Sequence, residues 1–175
     1  NNMHKEEIII RENFLSHEEC DWFINLHKQF EGSLTESVNL GANDVNIEVL
    51  HLENLISLEY DSLVEKLNNN CPLDNFFVNY AHVVHWPTNS ALGAHFDKYD
   101  TKFTSIIYLN DDYSGGITYI GKTKITPKKG SIVSFWGAEL LHGVEEIKGN
   151  RYTIPVWYST QDLIKERLGE MDEVN

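Results

Sequence analysis

The chain has 175 residues, 41% of them hydrophobic, which is the usual length of one domain with enough apolar content for a packed core. Its 14 Lys and Arg against 27 Asp and Glu leave a net charge of −13 with no basic cluster. Phosphate-backbone binding depends on basic side chains that release counterions, so this balance argues against a nucleic-acid partner. No apolar run approaches the ~18 residues that signal a bilayer span and no basic-plus-apolar leader opens the chain, so neither a membrane anchor nor a secretory leader is expected.

The first predicted element is a helix. Ser16-His17-Glu18-Glu19 is a capping box in which the Ser16 hydroxyl accepts from the Glu19 amide and the Glu19 carboxylate reaches back to the Ser16 amide. Cys20, Phe23, Ile24, His27 and Phe30 follow at helical spacing, which predicts a helix over 17–30. Residues 31–46 have no periodicity and many Gly, Ser and Asn, so they read as a long loop of the kind that serves as a lid or lies idle on the surface. Leu52, Leu55, Ile56, Leu63, Val64 and Leu67 predict a second helix over 53–68, ended by Asn68-Asn69-Asn70-Cys71-Pro72 and packed on the outside of a sheet.

From Phe76 the texture changes to short runs rich in Val, Ile, Tyr and Phe: 76–85, 94–99, 103–109, 117–120, 131–135, 142–147 and 151–158. Turn residues separate them, and many short strands so punctuated predict a sandwich or jelly roll. Pro155 has no N–H to give a ladder and is expected at an edge or bulge. The charged tail from Asp162 predicts a short helix with a frayed end. Cys20 and Cys71 are too few for a disulfide framework and fit a reducing cytoplasm.

Four residues carry the chemistry. If Ala94 to Tyr99 is a strand, His95 and Asp97 point to one face and can share a metal, with His142 supplying a third ligand from a later strand. Two histidines and a carboxylate that leave open positions are the pattern of non-haem Fe(II) oxygenases. Zinc accepts the same side chains. Arg151 argues against zinc: its guanidinium fork suits a carboxylate, and Thr153 shares its strand face, so the two can hold the far end of a dicarboxylic cosubstrate. A structural ion pair is the plain alternative for Arg151, as a surface or core histidine is for His95.

The ordered pieces resemble the 2-oxoglutarate- and Fe(II)-dependent prolyl 4-hydroxylase superfamily, and within it most the oxygen-sensing prolyl hydroxylases. They are His95-Phe96-Asp97, Ile107-Tyr108-Leu109-Asn110-Asp111-Asp112-Tyr113, Gly115-Gly116-Ile117, Pro127-Lys128-Lys129-Gly130-Ser131, Phe135-Trp136, His142-Gly143-Val144 and the run from Arg151 to Tyr158. The likeness covers roughly residues 76–160. It implies a mainly β fold with N-terminal helices, a double-stranded β-helix of jelly-roll, cupin-like type. The chain is then a single domain: helical support over 1–72, a barrel core over about 73–160 and a tail over 161–175.

By the same resemblance His95, Asp97 and His142 bind Fe(II), Arg151 with Tyr108 binds the distal carboxylate of 2-oxoglutarate, Thr153 assists, and Trp157 lines the substrate side. Ordinary barrel core is the alternative for Tyr108 and Trp157. Relatives carry a tyrosine about ten residues before the first ligand, where it contacts the cosubstrate. This chain has His85-Trp86-Pro87 there, and His85 is expected either to replace that contact or to be a polar wall residue. The loop at 31–46 corresponds to a region that closes over substrate.

The implied reaction consumes O2 and 2-oxoglutarate, with ascorbate as a possible supporting reductant, and hydroxylates a C–H bond with release of succinate and CO2. The expected substrate is a prolyl residue of a peptide or protein. The alternatives are a free amino acid or other small metabolite, a zinc hydrolase built on the same triad, and a non-catalytic jelly-roll sensor that binds metal and dicarboxylate. The oligomeric state is open.

Overall fold

The computed structural model describes residues 3–31, 34, 36–37, 46–55 and 57–174. In chain order the elements are β1 (Ile8–Arg11), α1 (His17–Lys28), β2 (Glu36–Ser37), β3 (Asn46–His51), a 3-10 turn (Leu52–Asn54) and α2 (Leu58–Asn70). The strands β4 (Phe77–Trp86), β5 (Leu92–His95), β6 (Phe103–Tyr108), β7 (Ser114–Gly115), β8 (Thr118–Ile120) and β9 (Thr123–Ile125) follow. The chain continues through β10 (Ile132–Phe135), β11 (His142–Val144), β12 (Ile147–Lys148), β13 (Arg151–Ser159) and α3 (Leu163–Val174).

A seven-stranded sheet runs β1-β10-β6-β13-β4-β3-β2, a four-stranded sheet runs β5-β11-β8-β9, and β12 pairs with β7. All pairings are antiparallel. This is the expected double-stranded β-helix. Side-chain alternation divides the large sheet into two environments. On β13, Tyr152, Ile154, Val156 and Tyr158 join the core beneath the helices, whereas Arg151, Thr153, Pro155 and Trp157 line a cavity facing the small sheet. On β4, Val83 takes the helix side, and His82, Val84 and Trp86 take the cavity side.

The helices cover the outer face. In α1 the capping box is present as read, with Ser16 Oγ accepting from the Glu19 amide at 3.1 Å and Glu19 Oε1 accepting from the Ser16 amide at 2.9 Å. Cys20, Phe23 and His27 form its buried stripe. The second helix starts later than its apolar pattern suggests. Ser57 caps it by accepting from the Tyr60 amide at 3.0 Å, and residues 52–54 form a separate 3-10 turn. Tyr60, Leu63 and Leu67 are its buried face and pack on the large sheet.

Three strand expectations are corrected. The run at 94–99 is a strand only at Leu92–His95, so Asp97 lies beyond its end. The run at 142–147 divides into β11 and β12, which join different sheets. Pro155 is not at an edge: β13 lies between β6 and β4. Its ladder to β4 is registered at Arg151–Thr153 and resumes at Val156, so the missing N–H falls where pairing lapses. Most of the loop at 31–46 lies outside the described residues. Cys20 and Cys71 are free, and among the described residues no helix is long and apolar enough to cross a membrane.

Candidate active site

His95 ends β5 and His142 begins β11, and the two are direct cross-strand partners. Their rings lie 4.4 Å apart between centroids. Asp97 is brought in from the following loop: its amide donates to the Gly137 carbonyl at 2.9 Å, and its Oδ2 accepts from the Thr104 hydroxyl at 2.5 Å. That leaves Asp97 Oδ1 3.1 Å from His142 Nε2 and 3.5 Å from His95 Nε2. Adjacent ligands on an ion with bonds of about 2.1 Å lie about 3.0 Å apart, so the three donor atoms already approach one face of a coordination shell. Each Nδ1 meets a backbone carbonyl, Gly93 O for His95 at 2.9 Å and Leu140 O for His142 at 2.8 Å. These carbonyls hold an Nδ1–H on each ring, so a metal at Nε2 would displace only the proton that the metal-free rings share with Asp97.

The electrostatics agree. Burial raises the Asp97 pKa, but hydrogen bonds from His142, His95 and Thr104 outweigh it and hold the carboxyl far below its usual range. The hydrogen bond to Asp97 raises the His95 pKa. An ionised carboxylate between two imidazoles is a ready cation site.

Sequence reasoning passed over two supports of this cluster. Thr104 holds the carboxylate oxygen that faces away from the histidines. Gly137 leaves room for it, since a Cβ there would collide with both Asp97 Oδ2 and Thr104 Oγ1. Gly137→Ala is therefore expected to leave the fold intact but weaken Fe(II) binding about 10–100-fold, the usual cost of disturbing a ligand's supporting shell. Anaerobic Fe(II) titration beside a thermal melt checks this, and unchanged affinity in a folded variant would show that the Asp97 position is not critical.

The triad opens onto a cavity of about 240 Å³ whose lining includes Thr118, Arg151, Thr153 and Trp157. Arg151 is 1% exposed, yet no Asp or Glu among the described residues pairs with it. Its Nη2 donates to Thr118 Oγ1 at 2.9 Å, and its Nε has no hydrogen-bond partner among the described residues. The guanidinium carbon lies 5.1 Å from the Trp86 ring and 5.6 Å from the Tyr108 ring. The Tyr108 hydroxyl donates to the same Thr118 oxygen at 2.6 Å. Thr153 accepts from Trp86 Nε1 at 3.4 Å. A buried cation with open donor capacity is costly to maintain unless an anion completes it, so Arg151 fits a ligand carboxylate. Thr118 and Trp86 were not singled out from sequence, because neither belongs to a chemically distinctive motif.

His85 does not join this group. It sits on the opposite face of β4, where Nδ1 contacts Glu48 Oε1, Nε2 meets Asn150 Oδ1 at 2.8 Å, and the ring stacks on Tyr152 at 4.6 Å. A strand reverses its face at every residue, so its neighbour Trp86 lines the cavity instead. A larger open groove of about 510 Å³ between α1 and α2 contains no metal-ligating cluster among the described residues.

Sequence and structure comparisons agree with this geometry. The sequence model described as "2OG-Fe(II) oxygenase superfamily" matches residues 79–159. Human prolyl 3-hydroxylase 2 is 33% identical over 73 residues, a stretch covering 37% of this chain and 10% of that protein. A Pseudomonas putida prolyl-4-hydroxylase superposes with a TM-score of 0.71 at 14% identity, over 88% of this chain and 92% of its own. A prolyl hydroxylase from Trichoplax adhaerens, solved with a hypoxia inducible factor oxygen degradation domain peptide fragment, superposes with a TM-score of 0.63 at 20% identity, over 87% and 83%. The matched segment runs from β4 to the end of β13 and contains all three metal-ligand candidates and Arg151. Over that segment the chain is similar to the 2OG-Fe(II) oxygenase superfamily, and its fold is the one shared by these solved structures.

Proposed function

We propose that this chain is a 2-oxoglutarate-dependent dioxygenase that hydroxylates a prolyl residue in a peptide or protein. The observation that carries the reading is Arg151, a buried guanidinium with no carboxylate partner among the described residues, in the same cavity as the His95–Asp97–His142 cluster. Fe(II), bound with 2-oxoglutarate and O2, supplies the oxidising chemistry, yielding succinate and CO2 as one oxygen atom enters a substrate C–H bond.

The protein's part is binding and orientation. His95, Asp97 and His142 would hold Fe(II), and the cavity beside them would receive the cosubstrate. Arg151 receives the distal carboxylate through its fork, and Thr118, shared by Arg151 and Tyr108, fixes the direction of that fork. Thr153 offers a further hydroxyl, and Trp157 with Val84 and Ile106 supplies apolar wall that excludes water around the reacting centre. The helical support, barrel and tail act in this reading as one catalytic unit. A reducing compartment suits both Fe(II) and the two free thiols, and ascorbate dependence is tested by omitting it.

Proline is favoured as the target because two of the similar structures are prolyl hydroxylases and the human relative is a prolyl 3-hydroxylase. The net charge of −13 suits a basic or neutral peptide. The on-rate for basic peptides is therefore expected to fall as salt rises, because their long-range attraction is screened. The test is a proline-containing peptide library incubated with Fe(II), 2-oxoglutarate and 18O2. Label on a prolyl ring supports the proposal, and its position separates C4 from C3 hydroxylation. Labelled free proline or another metabolite, with every peptide unmodified, would move the chain to a small-molecule hydroxylase.

A further inference from the structure

A second group of metal-type ligands lies outside the triad. His51 ends β3 and His82 lies in β4, and the two are direct cross-strand partners with ring centroids 4.1 Å apart. The 3-10 turn that follows β3 folds Glu53 onto the pair. Glu53 Oε1 is 3.0 Å from His82 Nε2 and 3.2 Å from His51 Nδ1, and all three donor atoms lie within 4.8 Å of one another. The Glu53 side chain is only 6% exposed, and its second oxygen, Oε2, is buried without a hydrogen-bond partner among the described residues. A carboxylate is rarely enclosed this far with an oxygen unsatisfied unless something else completes it.

We propose that His51, Glu53 and His82 form a second divalent-cation site, of the chemistry that suits Zn2+. Two imidazoles and a carboxylate are zinc ligands, and at bonds of about 2.0–2.1 Å the edges of a tetrahedral shell measure about 3.3–3.4 Å, close to the separations present. Oε2 is free to ligate as well. The His51 side chain is 44% exposed, which gives the ion a route in and leaves room for a water in the remaining position. His82 also touches the oxygenase cavity: its ring meets the edge of Trp157 at 5.0 Å, and both residues line that space. An ion here would hold the His82 ring and, through it, the Trp157 wall, without sharing a ligand with the triad. The inference does not depend on the proposed function, since its ligands and its test are separate from the first site.

The experiment is calorimetric Zn2+ titration of the untagged, chelator-stripped full chain. Because zinc also suits the His95–Asp97–His142 cluster, Asp97→Ala isolates the second site. That variant is expected to bind one Zn2+. The double variants Asp97→Ala/His51→Ala and Asp97→Ala/Glu53→Gln should weaken it by more than about 100-fold, beyond the loss that disturbing an outer-shell partner causes. The exposed His51 supplies the variant least disturbing to the fold, and Co2+ absorption should show four-coordinate bands in Asp97→Ala that disappear with His51→Ala. No Zn2+ bound by folded Asp97→Ala, or undiminished binding in both double variants, would overturn the proposal. A wild type that binds a single Zn2+, lost with Glu53→Gln but kept in Asp97→Ala, would support this site while rejecting metal binding at the triad.

Discussion

Succinate release coupled to hydroxylation is expected to fall below detection in Asp97→Ala and in His142→Ala. Asp97 supplies the one negative charge of the ligand set, and its Oδ1 is the atom both imidazoles approach. Without it the two histidines are neutral donors with nothing to fix a third coordination position. His142 is the better enclosed of the two imidazoles, held by the Leu140 carbonyl and by Phe135 at 4.9 Å, so its loss leaves a void inside the barrel as well as a missing ligand. Disturbing a ligand's outer partners alone typically costs about 10–100-fold, so removing the ligand itself is expected to cost more. Anaerobic Fe(II) titration and a succinate assay on purified, folded variants measure both effects, and near-normal turnover by either variant would remove the triad assignment.

Mild acid should not mimic Asp97→Ala. The metal-free carboxyl titrates far below its usual range, so it stays ionised as pH falls through 5, and any stability its pairing contributes is lost only at still lower pH. His95 behaves oppositely: its pKa is raised above the ordinary 6.5 by Asp97, so protons compete with the metal there first. Fe(II) affinity is accordingly expected to decline as pH drops through that raised value.

The elements legible in the sequence were those whose information is local. Ser16 and Glu19 specify a helix start by two reciprocal hydrogen bonds, and the structure has both. The gathering of His95, Asp97 and His142 was legible because histidine and aspartate at that spacing are chemically distinctive, although the physical reason differs from simple strand alternation. Asp97 reaches the site from beyond the strand end, held by the Gly137 carbonyl and Thr104. Those two residues illustrate what sequence does not reveal: a glycine chosen for an absent Cβ and a threonine chosen for one hydrogen bond have no motif. The His85–Trp86 reversal has a different origin. Strand faces alternate at every residue, so assigning a contact to one of two adjacent residues requires the register of β4, which depends on its bulged pairing with β13 near Trp157. Pro155, expected at an edge or a bulge, lies at neither: a lapse in an interior ladder accommodates its missing N–H, and the bulge falls between Trp157 and Tyr158.

Arg151→Ala is expected to leave Fe(II) affinity nearly unchanged while raising the 2-oxoglutarate requirement about 10–150-fold. The estimate follows from a charge-assisted hydrogen-bonded pair contributing about 1.5–3 kcal/mol net, with about 1.4 kcal/mol per tenfold. Metal binding is spared because Arg151 hydrogen-bonds to Thr118 and stacks near Trp86 and Tyr108, not against His95, Asp97 or His142. Arg151→Lys should recover only part of the loss, since an ammonium offers a point charge in place of the planar fork and cannot keep both the Thr118 contact and a bidentate grip. Thr118→Val provides the complementary test: the guanidinium and its charge remain, but the oxygen that accepts from both Arg151 and Tyr108 is gone. A smaller rise in 2-oxoglutarate KM, with kcat retained, would mark Thr118 as a positioning residue. A 2-oxoglutarate dependence unchanged in folded Arg151→Ala would make Arg151 a structural residue of the barrel, and the cosubstrate's distal carboxylate would then have to be held elsewhere.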